Sequence, residues 1–269
     1  MNFNFLKEIY VQKLFRLFNN AGAQLYVVGG AVRDTFLGKE FNDVDFATDM
    51  LPQDVVDLLA SNKLRHDAPG LEYGTVRTFF EDKKYEISTL RKDKYEHISK
   101  KTYKDRENDK IRKKLYSRYP TVQYTNDPFT DARRRDFTCN SIYVNQNSEI
   151  IDPFNGIEDI QNGVVKFIGN PLESVDVDPF RILRYFRLCA ESFYKNFDET
   201  ALTVCMANFD RAFYINKRKF LAEYSKIMAC RNRFIILNLW EKYGILNQIE
   251  EFVKITTERI EEEDKKRKS

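Results

Sequence analysis

The sequence contains few residues of the types that bind transition metals or form disulfides. Histidine occurs twice, as His66 and His97, and the four cysteines include no C-x-x-C pair. This argues against a structural zinc site or a cysteine-rich metal centre. Four scattered cysteines also form no disulfide framework, which favours a reducing compartment. With so few histidines a Ser–His–Asp centre is disfavoured, so we expect any chemistry to rest on carboxylates, basic side chains and a hard metal ion.

Long hydrophobic runs are also missing from the 269 residues. No stretch approaches the roughly 20 consecutive apolar residues that a membrane span needs, and the mean hydropathy is −0.56. Residues 1–20 lack the features of a signal peptide and the Arg and Ser bias of a transit peptide. These absences predict a soluble, cytoplasmic protein with no membrane partner. The 22 Phe and 15 Tyr argue against general disorder.

The charges are unevenly distributed, although the net charge is only +3. Residues 91–118 carry twelve basic and five acidic side chains, whereas residues 39–57 carry one basic and six acidic ones. A metal enzyme that handles a polyanion needs a basic segment beside an acidic one. Charge alone nevertheless favours a solvated loop and an exposed helix, so the functional interpretation depends on the motifs.

Hydrophobic periodicity predicts an α+β domain, residues 1–172, followed by an all-helical domain, residues 173–269. Short apolar runs that end at turn residues predict strands in the first domain, and helical spacing prevails from residue 178 onward. The elements predicted for the first domain are helices near residues 6–18, 31–37 and 52–59, and strands near residues 25–28, 44–47, 75–80, 84–90 and 140–144. We therefore expect both strands and helices in the first domain.

Two aspartates, Asp43 and Asp45, occupy alternate positions at the predicted strand 44–47. Alternate strand residues face the same way, with Cα atoms about 6.6 Å apart, so their carboxylates are able to converge on hard cations. Two such ions clamp the attacking and leaving oxygens of a phosphoryl displacement. Taken alone, the pair is better explained as an acidic, exposed strand.

Gly29 and Gly30 separate the predicted strand 25–28 from a helix. Glycine lets the backbone approach a phosphate, and a helix N-terminus offers N–H groups and a positive dipole end. Arg33 and Asp34 fall in the first turn of this helix, either as phosphate-site residues or as a solvated cation and a dipole-complementing anion. A glycine pair at such a place is also common in ordinary tight turns.

Three arginines precede the predicted strand 140–144, in the run RRRDFT at residues 133–138. Guanidinium groups match phosphates bidentately, so the run suits a triphosphate or an RNA backbone. A structural network of arginines and aspartates explains the same residues equally well.

In combination, these segments resemble the head-domain signature of the class II tRNA nucleotidyltransferase and bacterial poly(A) polymerase family. The resemblance covers roughly residues 24–230 and keeps the order and spacing of several motifs. The matching segments are VGGAVRD (28–34), LG (37–38), DVDFAT (43–48), YGTV (73–76), YEISTLR (85–91), RRDFT (134–138), DPFNGIEDI (152–160) and DPFRILR (178–184), with weaker matches at FDET (197–200) and INKR (215–218). The resemblance implies a DNA polymerase β-like nucleotidyltransferase head with a mixed sheet, followed by a helical neck.

By this resemblance, Asp43 and Asp45 hold two Mg²⁺ ions, with Glu86 as a third carboxylate. The RNA 3′-oxygen attacks the α-phosphate of ATP or CTP, and pyrophosphate leaves. The residues implied to bind the nucleotide are Gly29, Gly30 and Arg33 with Asp34 at the phosphates, Arg135 and Asp136 near the ribose, and Asp178, Arg181 and Arg184 in the base-reading motif. Asp178 and Arg181 lie one helical turn apart and would read the base edge; a helix N-cap and a surface cation are the alternatives.

The chain departs from the family pattern in several places. Val177 replaces the usual glutamate before the base-reading aspartate, which predicts looser selection between C and A, and Lys166 replaces a usual arginine. The basic loop after Leu90 is longer than usual. The candidate RNA contacts are Arg91, Lys113, Lys114, Lys217 and Arg218. The sequence ends near the neck. This predicts that the protein binds only the acceptor stem, that it acts with a protein partner or as an oligomer, or that the chain is trimmed.

The implied function is template-independent addition of C and/or A to tRNA 3′ ends. A poly(A) polymerase is the nearest alternative, because both activities share every head motif quoted above. A non-catalytic RNA-binding module with this fold is the alternative from another class. The retained carboxylates beside a phosphate-binding turn argue against that module, since a binding function does not require them.

Overall fold

The computed structural model describes residues 2–95, 120–193 and 195–268. These residues form two units, the first made of 2–95 with 120–162 and the second beginning at residue 163. Each unit has its own buried core.

The first unit is a mixed sheet with flanking helices, as predicted. Its helices and strands are, in chain order, α1 (Ile9–Asn20), β1 (Leu25–Val28), α2 (Gly30–Phe36), β2 (Asp45–Thr48), α3 (Pro52–Ser61), β3 (Arg65–Gly70), β4 (Thr75–Phe80), β5 (Lys83–Thr89), β6 (Arg91–Lys94), β7 (Thr121–Tyr124), α4 (Pro128–Ala132), β8 (Tyr143–Val144), β9 (Ile150–Ile151) and α5 (Gly156–Gln161).

Seven of these strands form one sheet in the order β3-β4-β5-β2-β1-β8-β9, while β6 and β7 form a separate two-stranded ribbon. The β2–β5 pair is parallel, and the other neighbours in the large sheet are antiparallel. The central position of β2 places its residues between β1 and β5.

One face of the sheet is covered by α1 and is apolar. Its buried residues Leu14, Phe15 and Phe18 recur at helical spacing. The ring of Phe15 meets that of Phe46 on β2 edge-on, with centroids 5.9 Å apart. On the opposite face, Val28, Ala132 and Tyr143 lie in a smaller apolar cluster. Polar side chains continue that second face along β2, β5 and β4.

The second unit is helical throughout the residues described. Its helices are α6 (Pro171–Val177), α7 (Phe180–Glu191), α8 (Glu199–Ala207), α9 (Lys217–Ala229), α10 (Arg233–Lys242) and α11 (Leu246–Lys268). The α7 residue Phe186 packs against the fully buried Trp240 of α10, with ring centroids 5.6 Å apart. Among the helices described, none has the length and apolar character needed to cross a membrane.

Three local features differ from the sequence-based expectation. The strand predicted at 44–47 begins at Asp45, so Asp43 lies just before it. The strand predicted at 140–144 is shorter, because residues 138–140 form a 3₁₀ turn. Strands β3, β6, β7 and β9 were not predicted; β3 contains Pro69 and lies at the edge of the sheet, where missing donors are tolerated.

Close backbone contact at the start of α5 explains Gly156. The Asp152 carboxylate accepts the N–H groups of Gly156 and Ile157 at 2.8 and 2.9 Å, which caps the helix. A Cβ added at Gly156 would lie 2.2 Å from the carbonyl oxygen of Thr138. The motif at 152–160 therefore joins α5 to the segment that carries residues 134–138.

We predict that Gly156→Ala lowers the free energy of unfolding by about 2 kcal/mol, because the backbone at Thr138 must move to admit the methyl group. Urea unfolding followed by circular dichroism measures this change. Gly30→Ala is the matched control, since its added Cβ would lie 3.7 Å from its nearest neighbour atom, an ordinary contact. Equal stability of the two variants would contradict the packing explanation.

Candidate active site

Two of the predicted carboxylates face each other across the parallel strand pair. Asp45 lies opposite Glu86 in the β2–β5 register, and Val28 of β1 lies opposite Asp45 on its other side. Continuing outward, Arg77 of β4 pairs with Glu86, and Asp67 of β3 pairs with Arg77. Directly paired residues share a face of the sheet. The charged side chains therefore form one row across the strands, in the order Asp45, Glu86, Arg77 and Asp67.

The surroundings of Asp45 disfavour the charged form of its carboxylate. Desolvation by the surrounding protein, then repulsion from Glu86 and Asp43, raise its pKa to about 6, while Arg135 and Lys84 oppose the rise. The residue itself keeps contact with solvent. Within the described part of the chain, neither Asp43 nor Asp45 makes a side-chain hydrogen bond or an ion pair. Their oxygens are thus available to a ligand.

These carboxylates suit a hard cation by their chemistry, since Mg²⁺ prefers carboxylate oxygens. Among the described residues, however, no group of three or more His, Cys, Asp or Glu side chains is gathered as a metal site. Glu86 is instead bonded to Lys84, whose Nζ lies 3.0 Å from its Oε1. The chemistry of the two aspartates suits such ions, and one of the two carboxylate oxygens of Glu86, Oε1, is bonded to Lys84.

The glycine turn lies beside Asp45. Gly29 has φ +82° and ψ −135°, a conformation that favours glycine. A Cβ there would still lie 4.0 Å from Oδ2 of Asp45, so the conformation rather than lack of space calls for glycine. Gly30 is the first residue of α2, one position before the predicted start at residue 31. The turn therefore places backbone without side chains next to the carboxylate proposed to bind metal.

Arg33 is buried and holds the glycine turn to the 134–138 segment. Its guanidinium donates to Asp34 at 2.9 Å and to Asn140 at 2.8 Å. Asn140 donates in turn to Asp136 at 3.2 Å, and Asp136 also accepts the N–H of Phe137. Arg33, Asp34 and Asp136 are thus brought together, and Asn140, which links them, was not among the predicted site residues.

Arg135 and Arg134 are both bonded to Asp131, a fully buried residue that was not among the predicted site residues. Asp131 accepts from Nε of Arg134 at 2.7 Å, from Nη2 of Arg135 at 3.0 Å and from the hydroxyl of Tyr143 at 2.7 Å. It also accepts the backbone N–H of Arg91 at 3.0 Å. Of the two explanations left open for the arginines, the structural network is present.

Burial and the neighbouring arginine charges shift the pKa of Asp131 in opposite directions. Burial alone raises the pKa of Asp131, but the charges of Arg135 and Arg134 outweigh it and hold the pKa at about 2. Since the charge of Arg135 also lowers the pKa of Asp45, this arginine acts on the carboxylate centre as well. Arg135 therefore combines a structural bond with an electrostatic effect at the candidate site.

The predicted base-reading residues lie in the second unit. Asp178 follows α6 and accepts the N–H of Phe180 at 3.0 Å, which matches the capping alternative. Arg181 donates to the hydroxyl of Ser174 at 2.6 Å, and Arg184 follows one turn later on α7. Ser174 lies on α6, the helix that also carries Val177, so this hydrogen bond fixes the Arg181 guanidinium against α6.

The predicted RNA contacts are dispersed. Arg91 is bonded to Asp93 at 2.8 Å, and Arg218 to Asp264 at 2.6 Å. Lys217 begins α9 and is half-buried. Lys113 and Lys114 lie outside the described residues. The contacts of Arg91 and Arg218 are thus ion pairs within the chain, and the RNA-binding role of all five remains a prediction.

Comparison with known proteins identifies relatives for most of the chain. The family model described as the poly A polymerase head domain matches residues 25–166. The CCA-adding enzyme of Enterococcus faecalis is 32% identical over 191 residues, which are 71% of this chain and 42% of that protein. The chain thus spans about two fifths of the length of this curated relative.

Solved structures show the same fold. The crystal structure of the Bacillus stearothermophilus CCA-adding enzyme in complex with CTP superposes with a TM-score of 0.73 at 24% identity, covering 94% of this chain and 58% of that one. A tRNA nucleotidyltransferase complexed with a primer tRNA and an incoming ATP analogue has a TM-score of 0.65 at 24% identity, covering 88% and 62%. The predicted fold, a nucleotidyltransferase head followed by helices, is confirmed.

We predict that Asp131→Asn lowers the free energy of unfolding by about 3 kcal/mol at pH 7, because it leaves buried arginine charge without its counter-ion. Urea unfolding measures the change. Asp57→Asn, at an exposed position of α3, is the control and should shift stability by less than about 0.5 kcal/mol.

The pH dependence of stability gives a second check on the same carboxylate. The folded-state pKa of Asp131 is about 2, below the unfolded value of about 3.9. Its contribution is therefore complete above about pH 4 and is lost as the pH falls from about 4 to about 2. Asp131→Asn should lack this component; an acid-unfolding profile parallel to that of the unsubstituted protein would contradict the assignment.

Proposed function

The chain belongs to the poly A polymerase head domain family, and on that premise we propose that it transfers nucleotides from nucleoside triphosphates to the 3′ end of RNA. The observation that carries the proposal is the position of Asp45 between the glycine turn and Glu86. The turn offers backbone that a phosphate is able to approach. The aspartates offer oxygens free of hydrogen bonds to other described residues, as phosphoryl transfer with bound cations requires.

The residues of the head unit divide the work in this proposal. Asp43 and Asp45, with Glu86, would hold two Mg²⁺ ions. Bound there, Mg²⁺ supplies charge neutralisation of the triphosphate and lowers the pKa of the attacking 3′-hydroxyl. Gly29 and Gly30 would admit the phosphates, with Arg33 and Asp34 fixing the turn.

The ribose side of the nucleotide is assigned to Arg135 and Asp136. Arg135 is held by Asp131 and Tyr143, and Asp136 by Asn140 and the backbone of residue 137. Groups fixed in this way before the substrate arrives need little reorganisation to bind it. A rigid pair of donor and acceptor is suited to recognising the 2′-hydroxyl that separates ribonucleotides from deoxyribonucleotides.

The substrate we propose is the 3′ end of tRNA, with CTP and ATP as nucleotide donors. The names of the relatives support this choice, since they are CCA-adding enzymes, and one solved neighbour is described with a primer tRNA and an ATP analogue. Poly(A) addition is the alternative within the family. The head residues described here serve both activities and do not separate them.

Enzymatic activity is favoured over RNA binding alone by the cost of the carboxylate centre. Asp43, Asp45 and Glu86 repel one another, and this repulsion contributes to the raised pKa of Asp45. A binding module gains nothing from such a centre, whereas a cation site needs it. No disulfide joins the cysteines of the residues that the structure describes, and a reducing, cytoplasmic location is part of the same proposal.

We predict that Asp45→Asn reduces nucleotide addition to an RNA 3′ end by at least about a thousandfold, because an amide is a far weaker cation ligand than a carboxylate. Incorporation of labelled ATP and CTP, resolved on a denaturing gel, measures the rate. Asp57→Asn serves as the control and should retain full activity. Undiminished extension by the Asp45 variant would remove the carboxylate centre from the mechanism.

We predict that Arg181→Ala changes base choice more than triphosphate affinity, since its guanidinium is assigned to the base edge. Single-nucleotide extension with each of the four ribonucleotides gives the preference, and the concentration dependence gives the apparent affinity. Arg231→Ala, at an exposed position after α9, is the control. Preferences for C, A, U and G that equal those of the unsubstituted protein would exclude the base-reading role.

A further inference from the structure

Lys84 lies among the proposed metal-binding carboxylates. Its ammonium is 3.0 Å from Glu86, and the two residues are alternate positions of β5, so they share one face of the strand. Asp45 lies opposite Glu86 in the parallel register, and Asp43 precedes Asp45 by two residues as Lys84 precedes Glu86. Lys84 therefore lies at the end of the strand pair where Asp43 lies.

The charge of Lys84 acts on all three carboxylates. The hydrogen bond from Lys84 to Glu86 raises the pKa of the amine most, and the negative charges of Glu86, Asp43 and Asp45 add to the rise, while partial burial opposes it. Reciprocally, Lys84 lowers the pKa of Asp45. An ammonium in this place does part of what a bound cation does, since it reduces the mutual repulsion of the carboxylates.

The other cations that act on this centre are held by partners outside it. Arg135 is bonded to Asp131 and Tyr143. Arg77, opposite Glu86, is held by Asp67 through two bonds of 2.6 and 2.7 Å. Within the described residues, Lys84 is bonded to a carboxylate of the centre alone. Moving the ammonium away from Glu86 thus breaks no other hydrogen bond or ion pair among the described residues.

We propose that Lys84 is an internal counter-ion of the carboxylate centre, which occupies Glu86 until a divalent cation displaces it. This inference rests on the proposed function, because it takes Asp43, Asp45 and Glu86 as the cation ligands. An ammonium and a divalent cation at one carboxylate compete because they repel each other and are attracted by the same negative charge. The Lys84 and Glu86 side chains are 44% and 38% exposed, so their ion pair is weak enough to be exchanged.

The test measures Mn²⁺ binding to the full chain without nucleotide, using the electron paramagnetic resonance signal of free Mn²⁺. Lys84→Met should tighten the dissociation constant for Mn²⁺ by roughly threefold to tenfold, because one competing charge near the surface is removed. Lys84→Arg keeps the charge and should bind Mn²⁺ about as weakly as the unsubstituted protein.

Lys83→Met is the matched control. Lys83 precedes Lys84 on the same strand, and its ammonium is bonded to Glu8 at 2.9 Å, away from the carboxylate centre. The Lys83 variant should leave the Mn²⁺ dissociation constant unchanged. A change equal to that of Lys84→Met would show a general effect of surface charge and would overturn the specific role of Lys84.

The same titration with Asp45→Asn separates this inference from the proposed function. Loss of Mn²⁺ binding in the Asp45 variant, with tighter binding in Lys84→Met, supports both. Loss in the Asp45 variant, with unchanged or weaker binding in Lys84→Met, overturns the counter-ion role and leaves the cation site. Undiminished Mn²⁺ binding by Asp45→Asn overturns both, since the ion then binds elsewhere.

Discussion

The head unit depends on one buried carboxylate, that of Asp131. It lies at the end of α4 and accepts hydrogen bonds from Arg134, Arg135, the hydroxyl of Tyr143 and the backbone of Arg91. These bonds join α4 to the strand β8 and to the start of β6. Removing one partner of a buried ion pair is strongly destabilising, and the bond to Asp131 holds Arg135 where its charge acts on the carboxylate centre.

The register of the sheet provides the second constraint. A parallel pair between β2 and β5 places Asp45 opposite Glu86, and a slip of one residue in either strand would turn the carboxylate of that strand to the apolar face. The buried residues Phe46 and Ile87, one position further along each strand, oppose such a slip. The hydrophobic core under α1 therefore fixes the geometry of charged groups on the opposite side of the sheet.

Much of this arrangement could be predicted from the sequence, because short motifs carry it. The strand at residues 25–28, the glycine turn and the hairpin of β4 and β5 follow from local patterns of apolar residues and glycine. Arg134 and Arg135 lie only three and four residues from Asp131, but its other partners, Arg91 and Tyr143, are 40 and 12 residues away, so the complete network is not visible to local patterns. The bond between Arg33 and Asn140 spans 107 residues and is likewise invisible to local patterns.

Nucleotide addition to RNA 3′ ends is tested most directly by a gel-resolved extension assay with Mg²⁺. The RNAs are matched tRNAs that end before CCA, after C and after CC, together with an unstructured RNA, each supplied with CTP, ATP or both. We predict addition of C and/or A to the tRNAs, stopping at a completed CCA end, with no extension of the unstructured RNA. If none of these RNAs is extended, the proposed nucleotidyl transfer is contradicted. Long A tails on both kinds of RNA would instead show poly(A) synthesis and would exclude CCA addition to tRNA.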